Sequence, residues 1–151
     1  MLYFAYGSNM HQAIMRKHAP AAQSIGVATL HNYRFIVTAD GYASVEPDGE
    51  SRVYGLLWRL TRRDRATLDR WENVAAGAYR AEMLPVERGG ICTPALVYIA
   101  RRTPTGKPRR GYLECVIEAA RGLELPPDYI ACLQEWLAKG HSTHPRFGEF
   151  G

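Results

Sequence analysis

Tyr3-Phe4-Ala5-Tyr6-Gly7-Ser8-Asn9-Met10, near the start of the chain, joins an apolar run to a glycine break and two side chains able to cap a helix. Residues 2–6 read as a short strand bounded by Gly7. Ser8 or Asn9 then caps a helix to about Lys17, with Met10, Ala13 and Ile14 on one side. His18-Ala19-Pro20 stops it. A strand-to-helix turn of this kind presents backbone N–H groups able to hold a carboxylate or a developing oxyanion. Ser8 does not read as a hydrolase nucleophile, because no G-x-S-x-G elbow surrounds it and no histidine is recognisably paired with it. Capping is the role expected of it.

Outward from this segment, residues 24–30, 33–38 and 41–46 read as strands with short turns between them. Pro47-Asp48-Gly49-Glu50 is turn chemistry, and residues 53–60 form a near-continuous apolar strand. Thr61-Arg62-Arg63-Asp64 predicts a capping box that opens a helix ending at Glu72. Residues 79–86 and 91–100 make a predicted hairpin around Arg88-Gly89-Gly90. A basic, proline-containing loop covers 103–110, and two helices follow over 111–121 and 126–139. Strands fill the middle of the chain, while helices occupy the ends and one insertion. The expected class is therefore α+β and not a repeating βαβ. A single domain over 1–139 with a tail over 140–151 is the expected division.

The chain has 151 residues, of which 46% are hydrophobic and 23% charged, and sixteen of its nineteen basic residues are arginine. At this length about two-thirds of the unfolded surface is buried on folding, so a core forms without disulfides. The +4 charge excludes an acidic disordered tail. No apolar run approaches the roughly 20 residues that span a bilayer, so no membrane partner is expected. The apolar start is interrupted by Tyr6-Gly7-Ser8-Asn9 and lacks a preceding basic region, unlike a secretory signal. Cys92, Cys115 and Cys132 are an odd set with no C-x-x-C pair, read as reduced, mostly buried thiols of a cytoplasmic protein. Arg62, Arg63, Arg65, Arg101, Arg102, Arg109 and Arg110 lack any accompanying nucleic-acid motif and read as a solvated face, so no nucleic acid is expected. His141 and His144 have metal-ligand spacing only in the loosest sense. Breakers at Gly140 and Pro145 favour a mobile tail over a metal site.

Glu72 is the acidic residue that invites chemistry. Leu68, Trp71 and Ala75 mark the inward stripe of its helix, and Glu72 lies four residues after Leu68, at the stripe's edge. Partial burial and the negative end of the helix dipole both disfavour its ionised form and raise its pKa. A carboxylate so tuned can act as a general base near neutral pH. The competing reading is a solvated residue paired with Arg70 or Arg80, and periodicity alone favours that one. Asp69, with Arg65 four residues earlier, reads as an ordinary surface pair.

Taken together, these segments carry a family resemblance. The opening octet resembles the Y-F-A-Y-G-S-N-L/M start of the γ-glutamylcyclotransferase-like (AIG2-like) family. Leu68-Asp69-Arg70-Trp71-Glu72-Asn73-Val74, with Gly77 and Tyr79, is similar to that family's L-D-x-x-E-G-V-x-x-G-x-Y segment. Gly111-Tyr112-Leu113 and Leu125-Pro126-Pro127-Asp128-Tyr129 resemble its C-terminal tyrosine and L-P-x-x-Y features. The resemblance runs in order from Met1 to about Trp136. It implies a small mixed or antiparallel β-barrel flanked by helices, with a cavity floored by the barrel. It also implies that Glu72 is the catalytic acid/base, that Tyr3, Phe4, Ala5, Tyr6, Gly7 and Ser8 form the substrate-binding loop, and that Tyr112 touches substrate. Tyr79 is a secondary candidate for the pocket. Asn73 stands where the family has glycine, and asparagine is the next-best residue for a left-handed helix ending.

The reaction implied is closure of a γ-glutamyl group on itself. Its α-amine attacks its γ-carbonyl, giving 5-oxoproline and a free amine or amino acid. Holding both groups in line supplies up to about 7–11 kcal/mol of the barrier reduction. Neither a metal nor an organic cofactor is expected, and the expected partner is a small γ-glutamyl substrate. The alternative is a catalytically silent relative that binds a small ligand or a protein. Nothing in the chain decides its oligomeric state, and a homodimer stays open.

Overall fold

The apolar stretch of residues 53–60 needs cover on both faces, and a closed barrel provides it. The computed structural model describes residues 1–101 and 104–141. Its strands are β1 (Leu2–Ala5), β2 (Gln23–Val37), β3 (Ala43–Arg59), β4 (Tyr79–Arg88) and β5 (Ile91–Ala100). Its α-helices are α1 (Gln12–His18), α2 (Arg62–Trp71), α3 (Tyr112–Gly122) and α4 (Pro127–Leu137). The strands close in the order β1-β3-β2-β4-β5. Neighbours are antiparallel except at the seam, where β1 meets β5 in parallel with Tyr3 opposite Leu96. Closure removes the exposed sheet edges that invite aggregation. Val53, Leu56, Leu57 and Trp58 of β3 are buried, as are Leu113, Val116, Ile117 and Leu133 of α3 and α4.

The strands expected over 24–30 and 33–38 are two halves of β2, and those over 41–46 and 53–60 belong to β3. A register shift joins the halves: Tyr33 faces Pro47 while His31 faces Arg52, with Asn32 at φ 64°. The turn chemistry at Pro47–Glu50 is therefore real but local. Asp48 accepts from the Glu50 N–H at 3.1 Å and from the Ser51 hydroxyl at 3.0 Å, so residues 48–51 bulge from a ladder that continues past them.

Three expectations need correction. Ser8 caps nothing: residues 8–10 form a 3-10 turn, and α1 starts at Gln12 with no side-chain cap. Ser8 and Asn9 are instead buried, at 4% and 1% exposure. The cysteines are free but not buried, since Cys92 and Cys132 are exposed and Cys115 is half-buried. Ala75 is also exposed, because the helix has already ended at Trp71.

The capping box opening α2 forms as expected, with the Thr61 hydroxyl accepting from the Asp64 N–H at 3.1 Å and the Asp64 carboxylate from the Thr61 N–H at 3.4 Å. Thr61→Ala is expected to lower stability by about 1 kcal/mol, read as a drop in the urea midpoint. A loss below about 0.3 kcal/mol would mean that the cap contributes nothing beyond what water supplies. No helix among the described residues is long and apolar enough to cross a membrane.

Candidate active site

Leu68, fully buried, anchors α2 to the barrel and so sets where the last turn of that helix points. Glu72 closes the helix, its N–H donating to the Leu68 carbonyl at 2.9 Å, and its side chain enters the core at 1% exposure. Asn73 then takes the left-handed conformation, φ 54°, as expected of the residue in the glycine position. The arginines expected to pair with the carboxylate are engaged elsewhere: Arg80 pairs with Glu82, and Arg70 contacts Thr67. Glu72 Oε2 has no hydrogen-bond partner among the described residues. Burial pushes the Glu72 pKa up to about 8.

Tyrosines surround this carboxylate. Burial first, and the Glu72 charge second, hold the Tyr3 and Tyr6 phenols protonated far above neutrality. Tyr79, Tyr98 and Tyr112 are raised as well, chiefly by burial, with Glu72 again contributing. Five neutral phenols thus lie within electrostatic reach of one carboxylate. Each is fixed by a contact remote in sequence. Tyr6 donates to the Tyr98 carbonyl, and Tyr79 to the Ala43 carbonyl at 2.8 Å. Tyr98 donates to Asp69 at 2.6 Å, and Asp69 also accepts from Arg65 at 3.3 Å, so the expected surface pair also serves the core.

Tyr3 and Tyr112 differ from the other three. Asn9 Nδ2 donates to the Tyr3 oxygen at 3.1 Å, and the Ala43 N–H to the Tyr112 oxygen at 3.2 Å. The Ser8 backbone hydrogen-bonds to the Tyr112 hydroxyl as well. Both oxygens act as acceptors here, which leaves their own protons to donate. Asn9 is in turn held by His18 Nδ1, 3.2 Å from its Oδ1, and the His18 ring lies 4.1 Å from that of Trp71, next to Glu72. Trp58 Nε1 donates to the Asn9 carbonyl at 3.0 Å. The segment 3–9 is therefore locked from several directions. Phe4 is fully buried, and a Cβ on Gly55 would lie 2.8 Å from its ring and 2.3 Å from the Ala5 carbonyl. That approach explains a glycine in the middle of β3.

A cavity of about 450 Å³ opens beside this cluster, within the roughly 300–1,000 Å³ usual for small-molecule sites. Its wall includes Asp40, Tyr42, Asn73, Tyr79, Arg101 and Arg109. Glu72 itself is not part of that wall, although its neighbour Asn73 is. The expected basic loop supplies one side. Thr105 bridges to Thr38, and the Arg109 N–H donates to the Gly41 carbonyl at 3.1 Å. Arg109 is 6% exposed, with Nε on the Asp40 carbonyl at 2.8 Å and its guanidinium 4.9 Å from the Tyr42 ring centre. Residue 103 of that loop and Arg102 before it lie outside the described residues, as does His144. His141 contacts Glu114 at 3.2 Å, and no cluster of three metal-ligating side chains occurs among the described residues.

Periodicity missed Asn9, His18, Tyr98 and the lining arginines as parts of this site. Asn9 looked like a cap because capping and burial demand the same short polar side chain. Tyr98 sits in an apolar strand buried on both faces, where no alternation marks it out.

A small closed barrel with a sealed glutamate at a helix end and a tyrosine-lined cavity defines the class of protein. The sequence profile of the AIG2-like family matches residues 52–133, and the chain belongs to that family. It is 25% identical to the γ-glutamylcyclotransferase of Mus musculus over 139 residues, spanning 85% of this chain and 74% of that protein. A solved structure of a γ-glutamyl cyclotransferase superposes with a TM-score of 0.83 at 21% identity, over 100% of this chain and 93% of that one. An uncharacterized protein from Homo sapiens superposes with a TM-score of 0.85 at 22% identity, over 98% and 92% of the two chains.

Proposed function

We propose that the protein is a γ-glutamylcyclotransferase-type enzyme that converts a small γ-glutamyl compound into 5-oxoproline and a free amine or amino acid. The observation that carries this is the Glu72 carboxylate, buried with one oxygen unpartnered among the described residues and ringed by neutral tyrosines beside a cavity. The names of the relatives in mouse, cattle and human support the same activity class.

In this mechanism ionised Glu72 takes a proton from the substrate's α-ammonium. The freed amine attacks the γ-carbonyl carbon and closes a five-membered ring, placing negative charge on the carbonyl oxygen. Donors from the Tyr6-Gly7-Ser8 turn and the Tyr3 and Tyr112 hydroxyls stabilise that charge. Protonated Glu72 then donates to the leaving nitrogen as the carbon–nitrogen bond breaks. It next takes the surplus proton from the ring nitrogen and passes it to the released amine, which leaves as an ammonium, so Glu72 returns to its ionised starting state. In the structure the Tyr112 hydroxyl occupies the backbone of Ser8. An entering substrate oxygen replaces it there, so binding the substrate frees Tyr112 to act on it.

Incubation with a panel of γ-glutamyl amino acids, peptides and amines, with 5-oxoproline followed by mass spectrometry, tests the reading. Turnover of at least one compound is expected. Binding of panel members without any 5-oxoproline would replace it with a catalytically silent ligand-binding role.

A further inference from the structure

Arg101 leaves the end of β5 at the cavity wall, and two bonds fix it there. Its backbone N–H donates to the Ala78 carbonyl at 3.0 Å and its Nε to the Gly77 carbonyl at 3.1 Å. Gly77, at φ 78°, makes room for it: a Cβ at that position would lie 2.5 Å from Arg101 Nη2. With Nε engaged, the two Nη groups form a fork suited to a carboxylate, and no carboxylate among the described residues pairs with it. Arg109 adds a second cation to the wall and Asp40 a single opposing charge, so positive charge predominates.

We infer that Arg101 selects substrates whose leaving group carries a carboxylate, which makes γ-glutamyl amino acids and peptides better substrates than γ-glutamyl amines. The inference rests on the proposed cyclisation and narrows its substrate class. The substrate's own α-carboxylate shares a carbon with the α-amine, so it must lie deep, beside the sealed Glu72. Arg101 is exposed in the cavity wall while Glu72 is sealed, so on this reading the outward end of the substrate is the part that meets it. Arg109 is less suited to this task, because its side chain already braces Asp40 and Tyr42.

γ-Glutamyl-alanine and γ-glutamyl-ethylamine differ only by the leaving-group carboxylate and give a matched test. The wild-type protein is expected to prefer the alanine compound in kcat/KM, with Arg101→Gln shrinking that preference about five- to tenfold, mostly through KM. Arg101→Lys should retain part of it, since the charge remains but the fork is lost. A purely structural role would scale both substrates alike and leave the ratio unchanged, which overturns the inference. Calorimetric binding of both compounds to Glu72→Gln, with and without Arg101→Gln, reads the same ratio without turnover. Absence of turnover therefore removes the proposed activity, whereas absence of the carboxylate preference in binding removes this inference.

Discussion

Glu72→Gln is expected to lower 5-oxoproline formation by about 10³-fold, within the range of about 10²–10⁴ that a positioned general acid/base contributes. Glutamine keeps the length and shape of the side chain and cannot exchange the proton. The substitution also leaves the fold in place, because the Glu72 pKa of about 8 means that the folded protein holds this side chain mostly neutral at pH 7. Wild-type kcat/KM should climb through about pH 8 as Glu72 ionises in the free enzyme. The residual rate of the variant should lack that limb. Retention of full activity in a folded Glu72→Gln protein would remove Glu72 from the mechanism.

The ease of reading this chain divides according to sequence distance. The capping box at Thr61 and Asp64, the left-handed Asn73 and the inward turn of Glu72 are local events, settled within one or two helical turns of sequence. The cap could be anticipated from residue spacing and Asn73 from the glycine position of the family, whereas spacing alone favoured a solvated Glu72. What decided it was the barrel packed against Leu68, formed by strands that α2 does not itself contain. The class α+β was legible from the order of elements. Closure was not, since it depends on Tyr3 pairing with Leu96 across more than ninety residues.

The same distance separates the partners within the site. Tyr112 reaches Ala43, Tyr6 reaches Tyr98, and Arg109 reaches Asp40. Each pair joins segments whose local patterns say nothing of each other. Division of β2 and β3 into shorter strands had a related cause. Pro47, Asp48 and Gly49 are breakers by every local rule, yet a long paired neighbour lets the ladder resume at Arg52. Cooperative pairing overrides local turn preference here, at the cost of four bulged residues.

Glu72 should also make the protein less stable as pH rises through neutrality, and Glu72→Gln should remove most of that trend. The carboxyl pKa is 4.5 in an unfolded chain and about 8 when folded. Below pH 4.5 both states hold the proton, and burial of the neutral acid carries no ionisation penalty. Between the two values the unfolded chain releases its proton while the folded one keeps it. The unfolded state then binds fewer protons, so stability declines with rising pH until both are ionised near pH 8. At about 1.4 kcal/mol per pH unit the full decline approaches roughly 5 kcal/mol, comparable with the total stability of a small domain. Asp48 carries the opposite sign, its pKa being lowered by bonds from Glu50 and Ser51, but it titrates below this window. The buried tyrosines titrate above it. Urea midpoints measured from pH 5 to 8 should therefore fall in the wild-type protein and fall much less in Glu72→Gln, with the variant the more stable at pH 8. Parallel curves for the two proteins would show that Glu72 is solvated or paired in solution, and with that the raised pKa on which its role as a base depends would be lost.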